Sequence, residues 1–269
     1  MSLPRVLNRK NRILLKELSK TDFKIRYQGS ALGYLWALLK PLLMFAILYV
    51  VFSKILRFGS DIPHYPVYLL TGTVFWNFFT ECTFQGIHAI ENRGDLIRKV
   101  SFPKYIIVLS ATSTAVINLL INVAVIFIFA LINGCTPSLS WLLVFPSIIE
   151  LYALALGISL WLGAINVKLR DIGSIWEVLT QALFYAVPII YPISMVTEVS
   201  TVAANIILIN PIAQVIQDVR YNIVTDQTVT TWGFIGIKWG LVSILIVIAI
   251  LIFGALFFRS RSKRFAEEV

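Results

Sequence analysis

The sequence has 269 residues, of which 58% are hydrophobic and only 14% charged, and its mean hydropathy is +0.82. Soluble domains average about 45–50% apolar and about 25% charged residues, so the composition argues against a water-soluble globular enzyme. Two cysteines and the lack of low-complexity tracts also argue against a disulfide scaffold and a disordered chain, which leaves a polytopic membrane protein; the net charge of +9 gains meaning only from where Lys and Arg sit.

The first 26 residues are basic throughout and lack the apolar run of a cleavable signal peptide. At about 100° per residue, Leu3, Leu7, Leu14, Leu18 and Ile25 fall within about 60° of one another. Arg5, Arg9, Arg12, Lys16 and Lys20 gather on the opposite side. This pattern predicts an amphipathic helix within 1–31, lying in the cytoplasmic interface with its basic face toward anionic headgroups. A bilayer core takes about 20 apolar residues as a helix. Six crossings are expected, at roughly 33–55, 66–89, 105–132, 141–167, 173–191 and 237–258. Lys40 interrupts the first, but its stem can snorkel to the surface. Asn133-Gly134-Cys135-Thr136-Pro137 marks the turn between the third and fourth.

The stretch 199–217 has the length of a further span, yet Asn210-Pro211 cuts it, and proline removes a helical hydrogen bond. Region 192–236 is therefore read as short extracytoplasmic gate or re-entrant helices. With six spans, the segments before residue 32, 91–104, 168–171 and 259–264 share one side and hold 18 of the 23 Lys and Arg. Lys54, Arg57, Arg220 and Lys238 fall on the other side. A seventh span would carry Arg259, Arg261, Lys263 and Arg264 outside, against the positive-inside bias. The expected fold is thus all-α: a single domain over 1–269 with spans one to five in 33–191, gate helices in 192–236 and span six at 237–258. The tail 259–269 and the N-terminus are placed in the cytoplasm, and no nucleic-acid partner is expected.

There is no G-x-x-x-x-G-K-[ST] phosphate loop, so nucleotide binding by this chain is not expected. His64 and His88 sit near opposite ends of one span, and no Cys or His cluster offers a metal site. Nothing resembles a nucleophile elbow or a catalytic carboxylate pair, so catalytic and metal-binding residues are expected to be absent and the chain is not read as an enzyme. Glu81, Glu150 and Glu177 lie at or near membrane depth, where an ionisable residue is a functional candidate by default. The plain alternative is that Glu81 and Glu150 reach water and Glu177 pairs near Arg170. Trp76, Phe78, Phe79, Phe84, Trp161, Trp176, Phe184, Tyr185 and Tyr191 fit interface belts and helix packing, and a subset lining a conduit would suit the C–H faces of sugar rings.

The pattern Asp22-x-Lys24-x-Arg26-Tyr27-x-x-Ser30-x-Leu32-Gly33-x-x-Trp36-x-x-x-x-Pro41 resembles the approach to the first span in ABC-type polysaccharide export permeases. These are the membrane subunits that export O-antigen, capsule, teichoic acid and related glycans. The resemblance continues at Leu96-Ile97-Arg98-Lys99-Val100-x-Phe102-Pro103, at Arg170-Asp171-Ile172, at Pro188-Ile189-Ile190-Tyr191-Pro192, and at Asn210-Pro211 with Arg220 beyond. All fall where the topology independently places them. Ala186-Val187 departs from the family, in which a small polar residue often precedes the proline.

The resemblance implies a homodimer bound to two cytoplasmic ATPase subunits that hold ATP and Mg, with no cofactor in this chain. The cargo is expected to be a glycan on a polyprenyl-diphosphate carrier. Leu96, Ile97, Arg98, Lys99, Phe102 and Pro103 would couple to the ATPase, with Leu96, Ile97 and Phe102 as apolar anchors. Lys24, Arg26 and Tyr27 would receive the lipid diphosphate at the inner leaflet, since Arg forms bidentate charge-assisted bonds. Phe184, Tyr185, Pro188, Tyr191, Asn210 and Pro211 would belong to the conduit or its gate, and Arg170 and Asp171 would open the fifth span. The same architecture serves exporters of drugs or other lipids. A proton-coupled secondary transporter or flippase would instead need Glu81, Glu150 and Glu177 to face one cavity. A membrane-embedded glycosyl- or acyltransferase would need clustered acids or a catalytic His in a loop, whereas Glu198, Asp218 and Asp226 are well separated in sequence.

Overall fold

The computed structural model describes residues 9–29, 32–56 and 62–268; Leu3, Leu7, Arg5, Ser30, Arg57 and the side chain of Tyr27 lie outside the described residues. Every regular element among the described residues is helical. Helix α1, Arg9–Tyr27, lies against the later helix α5, Tyr105–Ile132, with Leu18 buried between them and Ser19 Oγ 3.3 Å from Ser113 Oγ. Arg9, Arg12, Lys16 and Lys20 face outward, as the helical projection requires. Ile25 departs from that projection: it is 63% exposed and lines a cavity that α5 also walls.

The first span runs over Gly33–Ile55, with α2, Trp36–Tyr49, as its α-helical part. Pro41 sits inside α2 and has no N–H to give Ala37, four residues back. Asn122 Nδ2 of α5 donates to that carbonyl at 3.0 Å. The defect in one helix thus becomes a polar tie to another.

Helix α3, Tyr65–His88, is the axis of the molecule and is buried along most of its length. It touches α2, α5 and the helices that follow. Its internal threonines bond back to their own helix, as with Thr71 Oγ1 to Val67 O at 2.8 Å and Thr83 Oγ1 to Phe79 O at 3.0 Å, so burial leaves these hydroxyls paired. A short helix α4, Gly94–Lys99, precedes α5, which stops at the predicted Asn133-Gly134 turn with Gly134 at φ +85°. Helix α6, Val144–Asn166, extends back through a tight turn to Leu139. It crosses the last long helix, α12, Ile237–Arg261, where Gly157 and Gly254 meet with no room for a Cβ on either. Small residues let helix backbones approach closely in lipid, and this crossing uses that device.

Between α6 and α12 lie α7, Ile172–Ala186; α8, Ile193–Val199; α9, Thr201–Ile209; α10, Pro211–Ile223; and α11, Thr231–Phe234. Of the fifth predicted span, 173–191, only the part up to Ala186 is helical: α7 ends there and the chain runs irregularly to Pro192, because Pro188 cannot donate. At about 1.5 Å per residue, the 15 residues of α7 fall short of a full bilayer core. The break at Asn210-Pro211 is present, with α9 and α10 meeting at 92°. Asn210 Oδ1 caps α10 by accepting from Ile212 N at 3.0 Å, and Pro211 occupies the first turn, where a missing N–H costs nothing. Among the described residues, four helices are long and apolar enough to cross a membrane: Gly33–Ile55, Tyr105–Ile132, Leu139–Asn166 and Ile237–Arg261. The final helix α13, Phe265–Glu268, returns to touch α4.

Candidate functional site

A cavity of about 730 Å³ opens among the end of α1, the start of α2, the second half of α3 and the first half of α5. Its walls carry Asp22, Arg26, Lys40, Glu81, His88 and Arg93 together with the carboxamides Asn77, Gln85, Asn92, Asn118 and Asn122. Ionisable groups between helices whose other faces are apolar make this cavity a functional-site candidate by default. Glu81 is its centre. Its Oε1 accepts from Arg26 Nη1 at 2.6 Å, Asn118 Nδ2 at 2.8 Å and Gln85 Nε2 at 3.0 Å, which joins α1, α3 and α5. Arg93 pairs with Asp22 at the rim. Lys40 makes no ion pair among the described residues.

Of the residues the sequence places at cargo loading, Arg26 faces this chamber and Lys24 is exposed. Arg26 meets Glu81 there, an assignment the sequence leaves open because the two stand far apart in the chain.

A second constellation joins the Pro188–Pro192 motif to α3 and α10. Arg220 is fully buried. Its guanidinium donates to Pro188 O at 2.6 Å, Ile189 O at 2.5 Å, Tyr68 O at 3.0 Å and Gln217 Oε1 at 3.0 Å, and stacks 3.4 Å over the Tyr68 ring. Gly72 makes room, since a Cβ there would fall on Arg220 Nη2. Tyr65 Oη donates to Ile190 O at 2.9 Å, and Tyr191 Oη to Tyr185 O at 3.0 Å. The irregular backbone after α7 is therefore satisfied by side chains, the condition for non-helical chain inside a membrane protein. Sequence reading counts Arg220 as an outer-side charge and as part of the resemblance beyond Asn210-Pro211; the structure makes it the clamp of this segment. Phe184 packs edge-on to Trp76 at 5.9 Å, while Tyr185 is 67% exposed.

At the opposite end, the 96–103 segment divides in a way that alters the expected anchors. Ile97 is 3% exposed and belongs to the chain's own core, with Ala89, Ile90, Ile107, Leu160, Val167 and Phe258. Phe102 is half-buried against the same cluster, with Lys104 Nζ 5.5 Å above its ring, and Leu96 and Pro103 are also half-buried. Arg98, Lys99, Val100 and Ser101 are the exposed residues of the segment. Phe265 of α13 is fully buried here, edge-on to Phe258 at 5.2 Å. Arg170 and Asp171 are exposed; Arg170 Nε lies 3.9 Å from Glu91 rather than beside Glu177.

A further cavity of about 890 Å³, between α6, α10 and α11, gathers Glu150, Asp218 and Asp226, which sequence distance keeps apart. Trp232 Nε1 donates to Asp218 Oδ2 at 2.8 Å, while Glu150 Oε1 is buried and accepts no hydrogen bond among the described residues. Glu81 lines the first cavity, Glu150 the second, and Glu177 neither.

The chain is similar to two proteins of Klebsiella pneumoniae, each called O-antigen export system permease protein RfbA, at 32% and 31% identity over 91% of this chain and 93% of each relative. A protein of the same name from Myxococcus xanthus is 31% identical over 70% of this chain and 71% of its own length. Residues 13–224, a stretch from within α1 to the end of α10 that contains both the polar chamber and the Arg220 clamp, match the ABC-2 type transporter family, and the chain belongs to that family.

Proposed function

We propose that this chain is the membrane subunit of an ATP-driven exporter that carries a polysaccharide, built on a polyprenyl-diphosphate anchor, from the inner to the outer face of the bacterial cytoplasmic membrane. The reading rests on one observation above all: relatives named as O-antigen export permeases align with nearly the whole chain, not with one segment. Teichoic-acid-type polymers belong to the same chemical class of cargo.

In this reading the chain crosses six times with both termini inside, as a single domain; α7 and the irregular chain to Pro192 together make the fifth crossing, and α8 to α11 form the outer gate. Two copies enclose the conduit, with Phe184, Tyr185, Pro188, Tyr191, Asn210 and Pro211 toward its outer end. Two cytoplasmic ATPase subunits supply hydrolysis with their own ATP and Mg. They dock on the 96–103 segment through Arg98, Lys99 and Val100, while Ile97 and Phe102 transmit movement into the core behind. The anchor's diphosphate loads at Arg26 and Lys24, near the inner headgroup layer, because a bare charge is costly in hydrocarbon. A proton relay through Glu81, Glu150 and Glu177 is disfavoured, since they face no common cavity.

The test is deletion of the gene in its host. Surface polymer is expected to disappear and lipid-linked polymer to accumulate on the cytoplasmic leaflet, reachable by glycosidase only in opened vesicles. Unchanged surface polymer in the deletion strain would refute the reading.

A further inference from the structure

The chamber holds an anion of its own where an anionic cargo group would sit. Glu81 Oε1 collects donors from three helices on a single oxygen: Arg26 Nη1 at 2.6 Å, Asn118 Nδ2 at 2.8 Å and Gln85 Nε2 at 3.0 Å. The pair is only partly shielded, with 35% of the Arg26 side chain and 23% of the Glu81 side chain exposed, and both residues line the cavity. That space, about 730 Å³, is far larger than an ion pair requires, and Lys40 lies on its wall with no ion pair among the described residues.

We infer that Glu81 is a resident stand-in for cargo phosphate: it holds Arg26 in the empty permease and yields it to the diphosphate headgroup of an incoming lipid. The inference rests on the proposed loading of a phosphate-anchored glycolipid and adds to it how the site selects its ligand. An ordinary phospholipid diester carries one negative charge, so on Arg26 it exchanges one anion for an equal one and gains nothing. A diphosphate brings more than one charge, can engage the guanidinium through two oxygens, and has Lys40 within the same chamber. Displaced Glu81 keeps Asn118 and Gln85 as donors, so the exchange leaves no stranded carboxylate. Selection here works by a built-in competitor, which raises the threshold for every ligand and leaves only the more highly charged one above it.

The experiment measures equilibrium binding of radiolabelled polyprenyl diphosphate, without glycan, to the permease–ATPase complex in vesicles of zwitterionic lipid. Glu81→Gln keeps the carboxamide contacts but removes the competing charge. It is expected to tighten binding by about fivefold, the scale of a partly exposed ion pair. It should also let phosphatidylglycerol compete, which the parent resists. Glu81→Asp, with a shorter reach, should show a smaller gain in the same direction, and neither gain should survive in an Arg26→Gln background. Parent-like or weaker binding by both Glu81 variants, with the complex intact on size exclusion, overturns the stand-in role even if Arg26→Gln abolishes binding. No binding of polyprenyl diphosphate by the parent instead overturns the loading reading itself. Inorganic pyrophosphate binding as tightly as the lipid would assign the site to a soluble phosphate and overturn the headgroup assignment.

Discussion

Arg220 shows how much a single residue can decide in this fold. Its guanidinium satisfies carbonyls at 188, 189 and 68 at once, and among the described residues no carboxylate hydrogen-bonds to it. Lysine carries a charge but not the planar fork, so Arg220→Lys leaves at least one buried acceptor unpaired. The expected loss is about 1–3 kcal/mol, read as a lower melting temperature of the detergent-solubilised protein, with Arg220→Ala worse. Gly72→Ala should have a similar effect without touching the arginine, because the new Cβ occupies the place of Nη2. Equal melting of Gly72→Ala and parent would show that the clamp can relax. Neither Arg220 nor Gly72 announces this in the sequence: one reads as an outer charge, the other as an ordinary helical glycine.

At the scale of elements, the 96–103 segment separates into a rooted side and an outward side. Ile97 packs into the core formed by the ends of α3, α5, α6 and α12, so Ile97→Ala creates a cavity and should cost about 2–5 kcal/mol in thermal stability. Val100→Ala and Lys99→Ala remove exposed groups; they should leave stability unchanged and weaken co-purification of the ATPase. The reverse pattern would show that Ile97 turns outward in the assembled transporter. The position and helical start of this segment are legible from Leu96-Ile97-Arg98-Lys99 and the following Phe102-Pro103. Which apolar residue roots it is not, because that depends on Phe258 and Phe265, more than 150 residues later.

The whole molecule can be oriented with two cysteine substitutions. The native Cys82 and Cys135 are buried and unpaired, so they need not be removed. Gln227→Cys, in the exposed turn after α10, should react with a membrane-impermeant thiol reagent added to intact cells, and Arg170→Cys should react only in inverted vesicles. Labelling with the opposite sidedness would invert the topology, and labelling of both from one side would mean an even number of crossings between them.

Helix positions were written in the sequence by itself. Charge-free runs have the length of a bilayer, and Asn133-Gly134, Pro188 and Asn210-Pro211 break them for local reasons of missing donors, positive φ and side-chain capping. Helix faces were not. In a soluble protein the polar side of each helix reveals which side is buried, but in lipid the outward face is as apolar as the inward one, and that cue is lost. Only the tertiary structure could therefore bring Arg26 to Glu81, Arg220 to the carbonyls after α7, and Glu150 beside Asp218. Each of these pairings depends on which helices cross, and where α6 and α12 cross it is Gly157 and Gly254, small residues whose role appears only where two backbones meet, that admit the contact.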